Sequence, residues 1–399
     1  MQTTVEQDVS SALDLLRSGE AWSSFAQAIA SVGSVVYGDA RVDSDRLRAE
    51  GFRYLARVLN VTTAVGLEIV DPAYPRLIRL YDTYRNLANC NPDCIYLYAR
   101  ISPEHTYRIS GRRGSALMFE IATMDSDMLA YPEGKWLKTI SQFEVEPDGT
   151  VEIHLSATPQ PKNWVPLDPD ARWMYVRQYF YDWNTEEAAQ LTIERVGARY
   201  PAPSPEPTEI AQQAQQLIKW IPSWYRGLAQ NLVGRFYSAP AGALAFSGAA
   251  GGFEGISYGR GHFTCGVDEA VIIEFTPPGN TLYWSLQLGT HYWEALDWDL
   301  RQTSLNGHQA KLDADGVFRG VISLCDPGVP NWLDPAGHRK GLLCCRVVRG
   351  DRIPEVTLRT VPFSALREHV PADTPILTAA ERSEIIRQRM FGVQRRFRE

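Results

Sequence analysis

The stretch that decides the fold is Asp315–Gly350, DGVFRGVISLCDPGVPNWLDPAGHRKGLLCCRVVRG. It reads as strand, loop, strand, and the loop gathers Asn331, Trp332, Asp334, His338 and Arg339. The same pattern stands earlier, in Asp148–Trp183, DGTVEIHLSATPQPKNWVPLDPDARWMYVRQYFYDW. Each copy has an Asp-Gly turn, an apolar strand, an Asn-Trp pair, a Leu-Asp-Pro and a second strand. Asn163-Trp164 and Asn331-Trp332 are offset by 168 positions, and Asp148-Gly149 and Asp315-Gly316 by 167. Two nearly equal offsets point to a duplicated β unit.

Outward from these copies, the period of the sequence sets the rest. In Cys94–Ile101, Ile95, Leu97, Ala99 and Ile101 alternate with Tyr96, Tyr98 and Arg100, which predicts a strand with one apolar face. Further short strands follow, with turns at Gly111, Gly114 and Asp148-Gly149. Trp173–Trp183 has two substantial faces: Met174, Val176 and Phe180 on one, and Trp173, Tyr175, Arg177, Tyr179, Tyr181 and Trp183 on the other. In the second copy Leu282, Trp284, Leu286 and Leu288 oppose Tyr283, Ser285 and Gln287.

Helical spacing marks the flanks. Leu13, Leu16, Trp22 and Phe25 predict one amphipathic helix, and Phe52, Leu55 and Leu59 share a face of another. A short Leu- and Tyr-rich helix is expected after Pro75. Asn184 with Glu187 predicts a helix start, ending near Val196. Pro201–Pro207 reads as a stiff linker, 208–235 as helix, and the Gly/Ala-rich Ser238–Gly261 as loop. Thr378 with Glu381 forms the capping box of a final helix.

The expected fold is mainly β with peripheral α-helices: tandem antiparallel β-sandwich or jelly-roll domains from an internal duplication. The expected divisions are a helical region (1–88), a first sandwich (89–184), a helical linker with the Gly/Ala-rich loop (185–262), a second sandwich (263–365) and a C-terminal helix (366–399). A length of 399 residues agrees with two domains.

A net charge of −7 speaks against nucleic-acid binding. The arginines after Arg387 read as the solvated end of a helix. The opening residues carry Glu6, Asp8 and Asp14 and lack a signal-peptide pattern, and no apolar run is long enough to span a membrane. Six cysteines without a CxxC pair fit reduced thiols, hence a cytoplasmic location.

Five segments together carry a family resemblance: EGFRYLARVL (Glu50–Leu59), NPDCIYLYARI (Asn91–Ile101), YRISGRRG (Tyr107–Gly114), YWSLQL (Tyr283–Leu288) and VPNWLDPAGHRKG (Val329–Gly341). They resemble bacterial proteins grouped as domain of unknown function 1214, related to the 1254/1214 two-domain proteins, over most of residues 45–350. The resemblance implies two β-rich, jelly-roll-like domains with added helices. It implies no settled activity and no catalytic residue.

The residues themselves offer four places for chemistry. Asn91-Pro92-Asp93 precedes a strand; Asp93 suits a general base, or the three form a turn. In Asn331–Arg339, Asp334 and His338 suit an acid–base pair with Arg339 binding an anion, or Asp334 caps a turn. The first copy has Arg172 where the second has His338, so Trp164 and Trp332 read as packing anchors and His338 as functional. The aromatic face around Arg177 and Tyr179, with Tyr96 and Trp284, suits stacking on a ligand, or burial under a helix. His291 with Glu294, Asp297 and Asp299 lacks the spacing of a dedicated metal site, and no metal is expected. Signatures of α/β-hydrolases, P-loop NTPases and dinucleotide enzymes are missing.

These readings combine into an expected cofactor-independent hydrolase, lyase or isomerase. It acts by general acid–base catalysis on a small hydroxylated organic molecule, sugar-like or terpenoid/steroid-like, in an aromatic-lined cleft. Asp93, Asp334 and His338 would move protons; Asn91, Tyr96, Arg177, Tyr179, Trp284, His291, Asn331 and Arg339 would bind substrate. The alternative is a non-catalytic ligand-binding or assembly protein whose edge strands pair into a homo-oligomer.

Overall fold

Period-two patterning folds the chain into two halves with the same strand plan. A computed structural model describes residues 11–125, 135–228, 236–237, 239–240, 242–248 and 255–397. The first half holds β1 (Ile78–Arg79), β2 (Cys94–Arg100), β3 (Tyr107–Arg112), β4 (Met118–Met124), β5 (Trp136–Ile140), β6 (Thr150–Ser156), β7 (Trp164–Pro166), β8 (Trp173–Tyr179) and β9 (Gln190–Arg195). The second holds β10 (Ala245–Gly248), β11 (Ile256–Thr264), β12 (Glu269–Phe275), β13 (Tyr283–Gly289), β14 (Ser304–Asn306), β15 (Phe318–Ile322), β16 (Trp332–Leu333), β17 (Lys340–Val348) and β18 (Thr357–Pro362).

The sheet orders are β1-β2-β8-β4-β5 with β7-β6-β3-β9, and β10-β11-β17-β13-β14 with β16-β15-β12-β18. Adding nine to every strand of the first half gives the second. Even the parallel pairs agree, β6 with β7 and β15 with β16, among otherwise antiparallel neighbours. The duplicated Asn-Trp pair explains that shared corner. Asn163 Nδ2 donates to the carbonyls of Glu144 (2.8 Å) and Glu152 (2.9 Å), and its Oδ1 accepts from Glu144 N (2.7 Å). Asn331 does the same to Lys311 O (2.6 Å), Arg319 O (3.0 Å) and Lys311 N (2.8 Å). Trp164 and Trp332 each donate the indole N–H to a carbonyl, of Ser156 and Ser323, at 3.0 Å.

Each half is a sandwich with its own apolar core. Ile121, Met174 and Val176 meet Ile109, Ile153 and Leu155 in the first, and Leu286, Leu343 and Val347 meet Ile273, Phe275 and Phe318 in the second. The two five-stranded sheets then turn their other faces to each other, where Cys94, Met118 and Tyr179 contact Ile256, Tyr283 and Val348. Helices α1 (Glu20–Ser31), α2 (Asp45–Thr63) and α3 (Pro207–Gly227) cover the remainder of the first sheet's face at Tyr98, Ala122 and Tyr175. No helix among the described residues is long and apolar enough to cross a membrane.

Helix α4 (Ala379–Arg396) starts at the expected capping box: Glu381 N donates to Thr378 Oγ1 at 3.2 Å and Thr378 N to Glu381 Oε2 at 2.7 Å. Arg387 and Arg395 face solvent as expected, but three other arginines do not. Arg382, Arg389 and Arg396, spaced by seven, are buried along one face. Guanidinium groups pack over indoles, with Arg389 and Arg396 at 4.5 and 4.3 Å from the Trp183 ring centroid.

Several local expectations differ. Residues 184–196 form a turn and β9, not a helix, because Asp182 caps Asn184 N (2.8 Å) and Thr185 Oγ1 (2.6 Å), and Leu191 and Ile193 pair onto the edge of β3. After Pro75 the chain makes β1 and turns instead of a helix. Within the Gly/Ala-rich passage, β10 and the start of β11 are strands. Gly259 is required there, since a Cβ would stand 2.6 Å from the Phe246 ring. Residues 229–235, 238, 241 and 249–254 of the expected helix and loop lie outside the described residues. Trp22 and Phe52 are exposed rather than inward.

Candidate functional site

Of the eleven residues expected to carry chemistry, five lie between the halves: Asn91, Asp93, Tyr96, Arg177 and Tyr179. Asp93 is 1% exposed and accepts hydrogen bonds from Tyr283 Oη (2.6 Å), Asn306 Nδ2 (2.7 Å) and Trp183 Nε1 (2.7 Å). Burial pushes its carboxyl up, against these donors and the nearby Arg396. Asn91 Nδ2 donates to Tyr283 Oη at 2.9 Å. Both side chains, one from each half, thus clasp the interface.

Arg177 stands in the same interface, ion-paired with Glu120 and donating to Tyr179 Oη (2.9 Å) and to Tyr175 Oη. Its counterpart is Arg346, which donates to Gln287 Oε1 (2.5 Å) and Asn89 O (2.7 Å). Register makes them equivalent: Tyr96 faces Arg177 as Tyr258 faces Arg346. Burial pushes Glu120 up, with Arg177 opposing. The aromatic face is thus closed, by helices over Trp173 and Tyr175 and by the other half's sheet over Tyr179 and Tyr181. Tyr179 meets Tyr283 with ring centroids 5.2 Å apart. Trp284 lies inside the second sandwich, packed edge-on against Phe275 and Phe318 at 5.2 Å.

His291 is buried beneath the N-terminal segment, with Nε2 3.1 Å from Asp39 Oδ2 and Nδ1 3.3 Å from Tyr237 Oη. Burial lowers its pKa, only partly offset by Asp39. Among the described residues, no cluster of three His, Cys, Asp or Glu side chains is placed to hold a metal. The Asn331 amide is spent on backbone, as above. Arg339 is exposed.

His338 lies in a different place. A cavity of about 230 Å³ opens where α2, the turn after β13 and the loop after β16 meet, and of the expected residues it takes in His338. Helix α2 contributes Arg46, Glu50, Arg53 and Arg57, spaced by four, three and four, hence one stripe of its surface. The turn contributes Glu294, where Glu294 N donates to Thr290 Oγ1 at 3.3 Å. Two contacts fix the three segments: Tyr292 Oη donates to Leu47 O (2.7 Å), and Arg46 Nη1 to Ala336 O (2.7 Å).

The chemistry of this cavity is ionic. His338 Nε2 is 3.0 Å from Glu50 Oε1, while Glu50 Oε2 is buried without a hydrogen-bond partner. Arg57 Nη1 is 2.8 Å from Glu294 Oε1. Burial pushes the Glu294 carboxyl up to about 7, against the pull of Arg57. That makes it both donor and acceptor near neutral pH. Asp334 reaches the cavity indirectly: its Oδ1 caps Ala336 N (2.7 Å) and its Oδ2 holds Arg301 (2.7 Å), which lines the wall. The sequence pointed to His338 and noticed Glu294. It did not reveal the α2 stripe, although the 46-50-53-57 spacing was there to read.

Residues 99–181 match the family described as protein of unknown function, DUF1214. The resemblance seen in the sequence is thus shown over that segment, which spans most of the first sandwich. The crystal structure of an uncharacterized protein from Burkholderia cenocepacia is similar, with 29% identity and a TM-score of 0.83, covering 88% of this chain and 99% of that one. The VPA0106 protein from Vibrio parahaemolyticus is 12% identical with a TM-score of 0.43, covering 68% and 90%. No curated protein matches the chain.

Proposed function

We propose that this chain, with its DUF1214 match over residues 99–181, is an enzyme of hydrolase, lyase or isomerase type working by general acid–base catalysis in the α2 cavity. The observation that carries the reading is the convergence, from three distant segments, of Glu294 and the Glu50–His338 pair on one solvent-reachable space among arginines. Glu294 exchanges one proton with the substrate and His338, oriented by Glu50, exchanges the other. Arg46, Arg57 and Arg301 favour a substrate with an anionic group. A volume of about 230 Å³ lies below the roughly 300–1,000 Å³ typical of drug-sized sites, which favours a small molecule. A hydroxylated carboxylic acid of sugar-acid or hydroxy-acid size meets both conditions, in preference to a steroid.

The test is a thermal-shift screen of hydroxy acids, sugar acids, neutral sugars and terpenoid alcohols, with mass spectrometry on every hit. Anionic hits converted by the wild type, with turnover reduced about 10²–10⁴-fold in Glu294→Gln, are expected. Saturable hits that yield no product over long incubation would overturn catalysis and favour a binding role.

A further inference from the structure

A second cavity, of about 650 Å³, lies between α4 and the edge of the second sandwich, away from the acid–base cavity. Its size is that of a site for a larger ligand. Leu305, Val321, Val329, Leu377 and Ile385 give it an aliphatic wall. Arg389 lines it as well, although the side chain is almost wholly buried.

The partners of Arg389 are all neutral. It donates to Gln309 Oε1 (3.2 Å), Trp298 O (3.2 Å) and Ser304 Oγ (3.1 Å). Its Nε is buried with no hydrogen-bond partner. Among the described residues it forms no ion pair, whereas the carboxylates of the same cavity are engaged. Asp313 is 2.7 Å from Arg319, Glu384 is 2.7 Å from Arg387, and Asp182 caps the turn at Asn184. Burial lowers the Arg389 pKa to about 10, with Asp93 and Asp299 too weakly felt to restore it. A buried cation without a counter-ion, beside an apolar space, gains from an arriving anion.

We propose that this cavity binds an amphipathic monocarboxylate, its carboxylate at Arg389 and its hydrocarbon chain along the Leu305–Ile385 wall. The site is separate from the α2 cavity and does not depend on its being catalytic.

Calorimetric titration of the full chain with dodecanoate, dodecanol and dodecyltrimethylammonium, all below their aggregation concentrations, tests this. Saturable one-to-one binding of dodecanoate is expected, at least about tenfold tighter than the alcohol, the gain of one charge-assisted hydrogen bond. Ile385→Trp fills the cavity from a half-buried position and should abolish binding, while Arg389→Gln should erase the preference for the acid. Should Arg389→Gln fail to fold, the acid-to-alcohol ratio and Ile385→Trp still decide. Glu294→Gln should bind dodecanoate like the wild type. Equal affinity for acid and alcohol, binding that survives Ile385→Trp, or no saturable binding would each overturn the proposal.

Discussion

Asn331 and His338 are seven residues apart, yet the backbone uses one and leaves the other to the cavity. Three hydrogen bonds commit the Asn331 amide to Lys311 and Arg319, as Asn163 is committed in the first half. Asn331→Ala would remove three hydrogen bonds to part-buried backbone groups and should lower unfolding free energy by roughly 1–3 kcal/mol, measured by denaturant melts. Ligand affinity in the α2 cavity should not change; a loss of affinity with normal stability would instead make Asn331 a binding residue. Asn331 was expected to bind substrate; its repetition as Asn163 was the sign that it is structural, because what both copies keep holds the shared corner. The same logic singled out His338, which the first copy replaces with Arg172. Asp93 was less legible, because a turn before a strand does not reveal that Tyr283, Asn306 and Trp183 will close over it.

At the scale of elements, the placement of α2 sets the candidate site. Gly51 sits where the helix crosses Tyr292, and a Cβ there would stand 2.3 Å from Val36 Cγ1 and 2.6 Å from Tyr292 Oη. Both neighbours are buried, and Tyr292 also stacks on Tyr54 at 5.2 Å. Gly51→Ala must therefore push α2 outward, at a cost of about 1–3 kcal/mol. It should lower the melting temperature and weaken ligand binding together, since Glu50 and Arg53 move with the helix. An unchanged melting temperature would mean that α2 is not seated as described. Strand elements were readable from alternation because each sandwich has an apolar inside. Residues 184–196 were not: EEAAQLTIERV satisfies helical spacing as well as strand spacing, and only the free edge of β3 selects the strand. The buried stripe of α4 was hidden for a related reason. Arginines at intervals of seven look solvated until Trp183 and the carbonyls that receive them are in place.

The whole molecule is a duplication folded onto itself, and the duplication explains both what it conceals and what it exposes. Facing five-stranded sheets bury Arg177 and Arg346 at equivalent positions, so the aromatic face expected to form a cleft became an interface. The α2 cavity lies where an unduplicated element, α2, meets the second half. No local pattern could assemble it, because its groups come from residues 46–57, 290–301 and 336–338. At its centre, burial leaves the Glu294 carboxyl poised near neutrality. The most direct measurement is unfolding free energy against pH for the wild type and Glu294→Gln. A carboxyl raised to about 7 in the folded state holds a proton that the unfolded chain releases near 4.5, so its stabilisation is complete below 4.5 and lost as pH rises through 7. The wild type should therefore lose about 3 kcal/mol relative to the variant between pH 4 and 8, with Asp93 and Glu120 cancelling in the difference. Parallel curves for the two proteins would contradict the account.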